Sequence, residues 1–278
     1  MPTPEIDPHA FHDFEHAGWQ RAASDYHHHF GSLTSQSIAP LLDAVGSAPA
    51  AGKSRLLDIA AGPGYVSAEA ARRGWAVTGI DFSESMLALA RRNFPQIDFQ
   101  LGDAEALAFE DASFDAVVMN FGILHLARPE AALQQAHRVL RPGARYGFSV
   151  WATPDQALAF QIVLDAVTEF GDPNVTLPAG PPFFRFSDPA ESRRALAAAG
   201  FTDVRIDPIP LVWRLDSVAD FFEAFLKGSA RTGGLLNAQR PEALAQIRAA
   251  IDKRLAAFAC SGRLEIPMPA LIASARKR

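Results

Sequence analysis

Three aspartates punctuate the middle of the chain, 23 and 22 residues apart: Asp58 in "LLDIAAGPGYVS", Asp81 at the end of "AVTGID", and Asp103 in "FQLGDAEAL". Asp81 falls 17 residues after Gly64, where a carboxylate suits a pair of ribose hydroxyls. A carboxylate in the third position can accept a bond from the exocyclic amine of an adenine. Between the first two acids, Ala60, Gly62 and Gly64 bare the backbone, so that a ligand can approach and a helix can start abruptly. Alone, such a turn serves dinucleotides, phosphates and other adenosyl ligands alike. Two details narrow the choice. A phosphate cradle calls for a Gly-Lys-Ser/Thr ending, which "GPGYVS" lacks, and Ser67 stands where the nicotinamide fingerprint has its third glycine.

His125, in "GILHL", is the titratable side chain best placed to take a proton from a hydroxyl or amine. The competing reading is a histidine that braces the loop. "YHHHFG" invites a metal site, but adjacent histidines point different ways on a helix and cannot meet at one ion, so no metal is expected. The single cysteine, Cys260, excludes internal disulfides and is read as a buried structural thiol. Phe183 and Phe184 lie in the Pro/Gly-rich loop "GDPNVTLPAGPPFFRFSDP", where an apolar substrate wall is expected, together with Trp19. The other aromatics are core by default.

The elements that must position these residues alternate. "RLLDIA", "AVTGID", "IDFQLGD", "FDAVVMNFG" and "ARYGFSVW" have strand length and are rich in Val, Ile and Phe; "GYVSAEAARRG", "SESMLALARRNF" and "PEAALQQAHRVLRPG" have helical spacing. A βαβαβ order predicts a parallel α/β sheet covered by helices, with ligands outside the carboxyl ends of the strands. Residues 1–51 are expected to form a helical cap and linker, "SAPAAGK" being the linker. Residues 52–215 form the core, 216–261 a helical insertion over the ligand, and 262–278 a last, antiparallel strand returning to the sheet.

At 278 residues the chain can bury a full core, and 49% hydrophobic with 21% charged residues is ordinary for a globular protein. No apolar stretch reaches the roughly 18 residues needed to span a bilayer, so no membrane association is expected. The first thirty residues lack a basic start and an apolar h-region, which predicts a cytoplasmic protein. A net charge of −5 without a basic patch argues against nucleic acid and for a small-molecule partner. Oligomeric state has no signature here.

The stretches "LLDIAAGPGYVS", "VTGIDFSESML", "FQLGDAEALAF", "FDAVVMNFGILHL" and "VLRPGARYGFSVW", in that order, resemble the class I S-adenosylmethionine-dependent methyltransferases, and most closely the small-molecule group that includes the ubiquinone and menaquinone biosynthesis enzymes. The resemblance covers Leu56 to Trp151 and implies a Rossmann-like fold and S-adenosyl-L-methionine as cofactor. It implies that the turn from Asp58 to Gly64 wraps the methionine portion, that Asp81 holds the ribose with Phe82 and Met86 packed around the nucleoside, and that Asp103 and the Ala104 backbone read the adenine. Asn120 would lie near the sulfonium through its backbone, and Tyr26 would reach the cofactor carboxylate from the cap. Ala60 departs from the family's usual first glycine. Methyl transfer to a small, partly apolar acceptor is the activity implied; a non-catalytic cofactor-binding regulator and an NAD-dependent oxidoreductase are the alternatives.

Overall fold

The computed structural model describes residues 6–48, 53–260 and 262–278. Three cap helices, α1 (Pro8–His29), α2 (Gly31–Thr34) and α3 (Ile38–Val45), precede β1 (Arg55–Ile59), α4 (Tyr65–Arg72), β2 (Ala76–Asp81), α5 (Glu84–Asn93), β3 (Asp98–Leu101), β4 (Phe114–Asn120), α6 (Pro129–Val139), β5 (Leu140–Trp151) and α7 (Leu158–Phe170). After them come α8 (Pro189–Ala198), β6 (Phe201–Ile209), β7 (Val212–Leu215), α9 (Val218–Gly228), α10 (Arg231–Asn237), α11 (Pro241–Leu255), β8 (Ala259–Cys260), β9 (Arg263–Pro267) and β10 (Ala270–Lys277). Seven strands form one sheet in the order β3-β2-β1-β4-β5-β10-β6. β1 to β5 pair in parallel, and β10 runs antiparallel between β5 and β6.

The apolar runs are unbroken because both faces of the sheet are covered. Leu57, Ile59, Val117 and Met119 point into the larger core, with α6 and α7. Leu56, Ala116 and Val118 point the other way, onto Leu41, Leu42 and Val66 of α3 and α4. A period of two thus serves two cores at once. The strand order reverses between β1 and β4, so loops following these strands diverge and leave a crevice between them.

Four expectations need correction. Helix α6 stops at Val139 instead of running through "VLRPG", because Leu140 pairs with Phe114 and Pro142 cannot donate a helical N–H. The cap helix begins earlier than "AGWQ": Asp7 accepts from the His9 and Ala10 amides at 3.0 and 3.2 Å, with Pro8 in the first turn. Residues 262–278 hold two strands, since β9 pairs with β7 and β8 in a separate three-stranded sheet and only β10 returns to the core. Cys260 is exposed, on the two-residue edge strand of that small sheet, where little can cover it. Of the expected linker "SAPAAGK", residues 49–52 lie outside the described residues. No helix among the described residues is long and apolar enough to cross a membrane.

Candidate functional site

The ends of β1, β2 and β4 open onto a cavity that encloses, with its open mouth, about 720 Å³. Asp81 anchors it. Its Oδ2 accepts from the Gly62 amide and its Oδ1 from the Ser83 amide, each at 2.9 Å, so both oxygens keep a lone pair for a ligand hydroxyl. Burial pushes the Asp81 carboxyl up to about 6, against the pull of the amides. Behind it, fully buried Asp58 accepts from the Ser67 hydroxyl at 2.6 Å, while its Oδ1 has no partner among the described residues. Burial raises this carboxyl to about 7. Gly62 has φ +52°, and nothing lies within 4 Å of where a Cβ would stand, so the turn offers bare backbone to the cavity.

Across the cavity, Asp103 is half-buried and accepts from the Glu105 amide at 2.8 Å, which aims the acid and the adjoining Ala104 backbone inward. Phe82 stands between the rings of His12 and His16, edge-on at 5.6 and 5.4 Å, and Met86 is buried beside it. Together these groups and the open Gly62 backbone offer a diol acceptor, an amine acceptor and an apolar slot. They fit an adenosyl ligand.

A second cavity of about 470 Å³ adjoins the first, and Trp19, Tyr26, Phe121 and His125 line both. His125 is held from outside the core. Its Nδ1 lies 3.0 Å from Oε2 of Glu15, a fully buried carboxylate on α1 that also accepts from Trp19 Nε1 at 3.1 Å and, through Oε1, from Arg231 Nε at 2.7 Å. A carboxylate only accepts, so the imidazole proton belongs on Nδ1 and Nε2 is left as a base. The Trp19 ring stands edge-on to His125 at 4.8 Å and fixes its plane.

Residues 57–148 match the model of the methyltransferase domain family. That stretch is similar to a methyltransferase domain, and the chain around it has the Rossmann-like fold of solved methyltransferases. Among similar proteins, a demethylmenaquinone methyltransferase of Renibacterium salmoninarum is 42% identical over 114 residues, 41% of this chain and 47% of that one. A ubiquinone/menaquinone biosynthesis C-methyltransferase of Roseobacter denitrificans is 34% identical over 163 residues, 47% of this chain and 65% of that one. The chain spans about half the length of most curated relatives it matches. Two solved structures share the fold at 19% identity: the YcgJ protein of Bacillus subtilis, with a TM-score of 0.57 over 87% of this chain and 98% of that one, and the Haemonchus contortus phosphoethanolamine N-methyltransferase 2, with 0.58 over 100% and 61%.

The stretch that matches the methyltransferase model brings Ala60, Gly62, Asp81, Phe82, Met86, Asp103, Ala104 and Asn120 to the first cavity, joined by Tyr26 and Trp19 from the cap. Gly64 does not line it. A Cβ there would meet Phe99 at 2.7 Å, so its bareness serves the packing of α4 on the sheet. Asp58 stands behind the turn. The Asn120 side chain turns away, accepting from Ser37 and Ser149 at 2.7 and 2.6 Å, which leaves its backbone to the cavity. The Tyr26 hydroxyl donates to Thr34 Oγ1 at 3.2 Å, and burial pushes it up to about 12. Phe183 lines the second cavity; Phe184 lines neither and packs on Phe160 and Phe183. The histidine run splits as the helix dictates, with His27 stacked on Tyr65 and bonded to its hydroxyl. Glu15, Glu105, His12 and Arg231 were not expected. Glu105 accepts from the Arg128 amide and Nε at 2.7 and 2.8 Å and clamps the loop after β4 to the loop after β3. Glu15 carried a signal: Phe11, Glu15, Gly18 and Ala22 are one buried stripe, and a lone acid inside such a stripe needs partners.

Proposed function

We propose that this chain transfers a methyl group from S-adenosylmethionine to a small, partly apolar metabolite. One observation carries the reading: the cavity that fits the cofactor and the aromatic cavity beside it share a wall, and His125, held through Nδ1 by Glu15, stands in that wall. S-adenosylmethionine supplies, when bound, a methyl on a sulfonium that a nucleophile displaces in line. Asp81 binds the ribose, Asp103 with Ala104 reads the adenine, and the Gly62 turn with Tyr26 receives the amino-acid tail. His125 takes the acceptor's proton at Nε2, while Glu15 positions it without touching substrate. The aromatic walls exclude water and align the acceptor. The relatives named for quinone biosynthesis agree with an apolar acceptor, though the likeness to them centres on the cofactor-binding core.

Calorimetric titration with S-adenosylmethionine, S-adenosylhomocysteine and NAD, followed by turnover against a metabolite panel, tests this. Binding of the two adenosyl ligands with methylated product is expected. Preference for NAD would make the protein an oxidoreductase, and tight binding with no product from any acceptor would favour a regulator.

A further inference from the structure

The second cavity is walled mainly by aromatic rings, with Tyr26, Thr34, His125, Ser229 and Thr232 adding polar groups. Phe30, Phe121, Trp151, Phe160, Phe183 and Phe225 supply its rings, and Arg231, the first residue of α10, closes it. Arg231 is committed on two sides: Nε donates to Glu15 at 2.7 Å and Nη1 donates to the Pro181 carbonyl at 2.8 Å. Its Nη2 is buried and has no partner among the described residues. A buried guanidinium nitrogen without a partner costs stability, and this one belongs to a residue that lines the cavity.

The guanidinium cannot swing elsewhere to satisfy that nitrogen. Its carbon lies 4.3 Å over the Phe11 ring and 5.6 Å from the Phe183 ring, a sandwich that holds the plane. The backbone is equally constrained: a Cβ on Gly18 would meet Ala230 at 2.6 Å, so α1 presses directly on the residue before Arg231. That contact brings Arg231 to Glu15, and Glu15 to His125. One carboxylate therefore grips the end of the cavity with one oxygen and the base with the other.

We propose that Arg231 is a specificity-determining residue of the acceptor site, donating from Nη2 to an uncharged oxygen, a carbonyl or hydroxyl, carried by an apolar ring seated in the second cavity. This rests on the methyl-transfer reading above. The oxygen is uncharged because Glu15 already neutralises the guanidinium; a carboxylate would bring a second, unmatched anion among aromatic walls, where desolvation is expensive. The donor direction also separates Arg231 from His125, whose free Nε2 can only accept from a ligand.

Three isosteric probes test it by ligand-observed NMR, on protein saturated with S-adenosylhomocysteine: 4-methylacetophenone, whose carbonyl only accepts; p-cymene, its hydrocarbon counterpart; and 4-methylbenzoate, the anion. The ketone is expected to bind at least tenfold more tightly than p-cymene, and the anion no more tightly than p-cymene. Arg231→Lys keeps a cation beside Glu15 but loses the fork, and should cut the ketone preference at least fivefold with S-adenosylhomocysteine affinity within threefold. Equal binding of ketone and hydrocarbon overturns the proposal, as does tightest binding of the anion or an unchanged preference in Arg231→Lys. If that variant does not fold, the wild-type order decides alone. Failure to bind S-adenosylhomocysteine would sink the methyl-transfer reading instead, and the three probes can still be ranked on the ligand-free protein.

Discussion

The two cavities share a wall and are built in opposite ways. The first is made at the ends of adjacent parallel strands, from the Gly62 amide, the Ala104 backbone and acids one strand apart, so the sheet itself fixes its geometry. The second is made mainly of side chains on α1, α2, α7, α9 and α10, on the end of β5 and on the connecting loops, brought together from residues 19 to 232. Backbone supported by a ladder of hydrogen bonds does not depend on any one side chain, whereas a wall of packed rings does. Substitutions around the first cavity should therefore act on cofactor affinity, and those around the second on turnover and acceptor choice. His125 is where the two regimes meet.

The sharpest break between them, and the largest expected effect, is His125→Ala. Proton removal matters only in the transition state, so turnover should fall by about 10² or more while S-adenosylhomocysteine affinity stays within a few-fold. A bracing histidine gives the opposite balance, with cofactor affinity or thermal stability falling alongside turnover. Single-turnover rates and a calorimetric titration on the same preparation tell the two apart.

On the cofactor side, Asp81→Ala removes the acceptor for two hydroxyls and should weaken S-adenosylhomocysteine binding by about 2 to 4 kcal/mol with the fold retained. An unchanged affinity in a folded mutant would remove Asp81 from that role.

The same carboxyl gives a pH dependence of smaller size. It sits near 6 in the ligand-free protein, and its ionised form is the stronger acceptor for a pair of ribose hydroxyls, so binding favours loss of the proton. Affinity should be flat above pH 6 and fall by up to about tenfold per pH unit below it, with proton release on binding near pH 6. The stability sign is opposite. Both Asp81 and Asp58 have folded values raised above that of an unfolded chain, so the native state holds more protons between about 4 and 7, and their contribution to stability declines as pH rises through that window. Calorimetry in buffers of different ionisation enthalpy, and melting at pH 5 and 8 with and without ligand, check both signs.

What was legible follows the same division. Asp58 and Asp81 could be placed because each lies at the end of an apolar run in a sheet buried on both faces, and Asp103 because it follows the short edge strand β3 by two residues. Glu15 was legible in principle, as an acid in a buried helical stripe, once Asp7-Pro8 is seen as the start of α1. Arg231 was not. It lies in "GSARTGG", which has no periodicity, and its place depends on Gly18 meeting Ala230 across 212 residues of chain. The strands of the small sheet are two to five residues long, too short for alternation to stand out from the adjoining helices. The exposure of Cys260 follows from that missed edge.

The smallest predicted effect lies in the wall of the first cavity, at Ala60 and Gly122. Ala60 follows β1 with φ +54°, a left-handed conformation that costs an L-residue about 1 to 2 kcal/mol. Its methyl fits because Gly122, after β4, has no side chain: a Cβ there would meet Ala60 Cβ at 2.8 Å and Met119 Cγ at 2.7 Å. The two positions therefore divide one methyl-sized space between them. Ala60→Gly relieves the strain but frees the unfolded chain, for a net gain of about 0.5 kcal/mol. Gly122→Ala crowds both neighbours, of which the Met119 side chain can move and the Ala60 methyl cannot. The double variant should then be more stable than the sum of the singles by about 0.5 to 1 kcal/mol, a coupling that denaturant titration of all four proteins would resolve. Strict additivity would mean that Met119 alone sets the limit at Gly122, and that the alanine in the turn owes nothing to the glycine facing it.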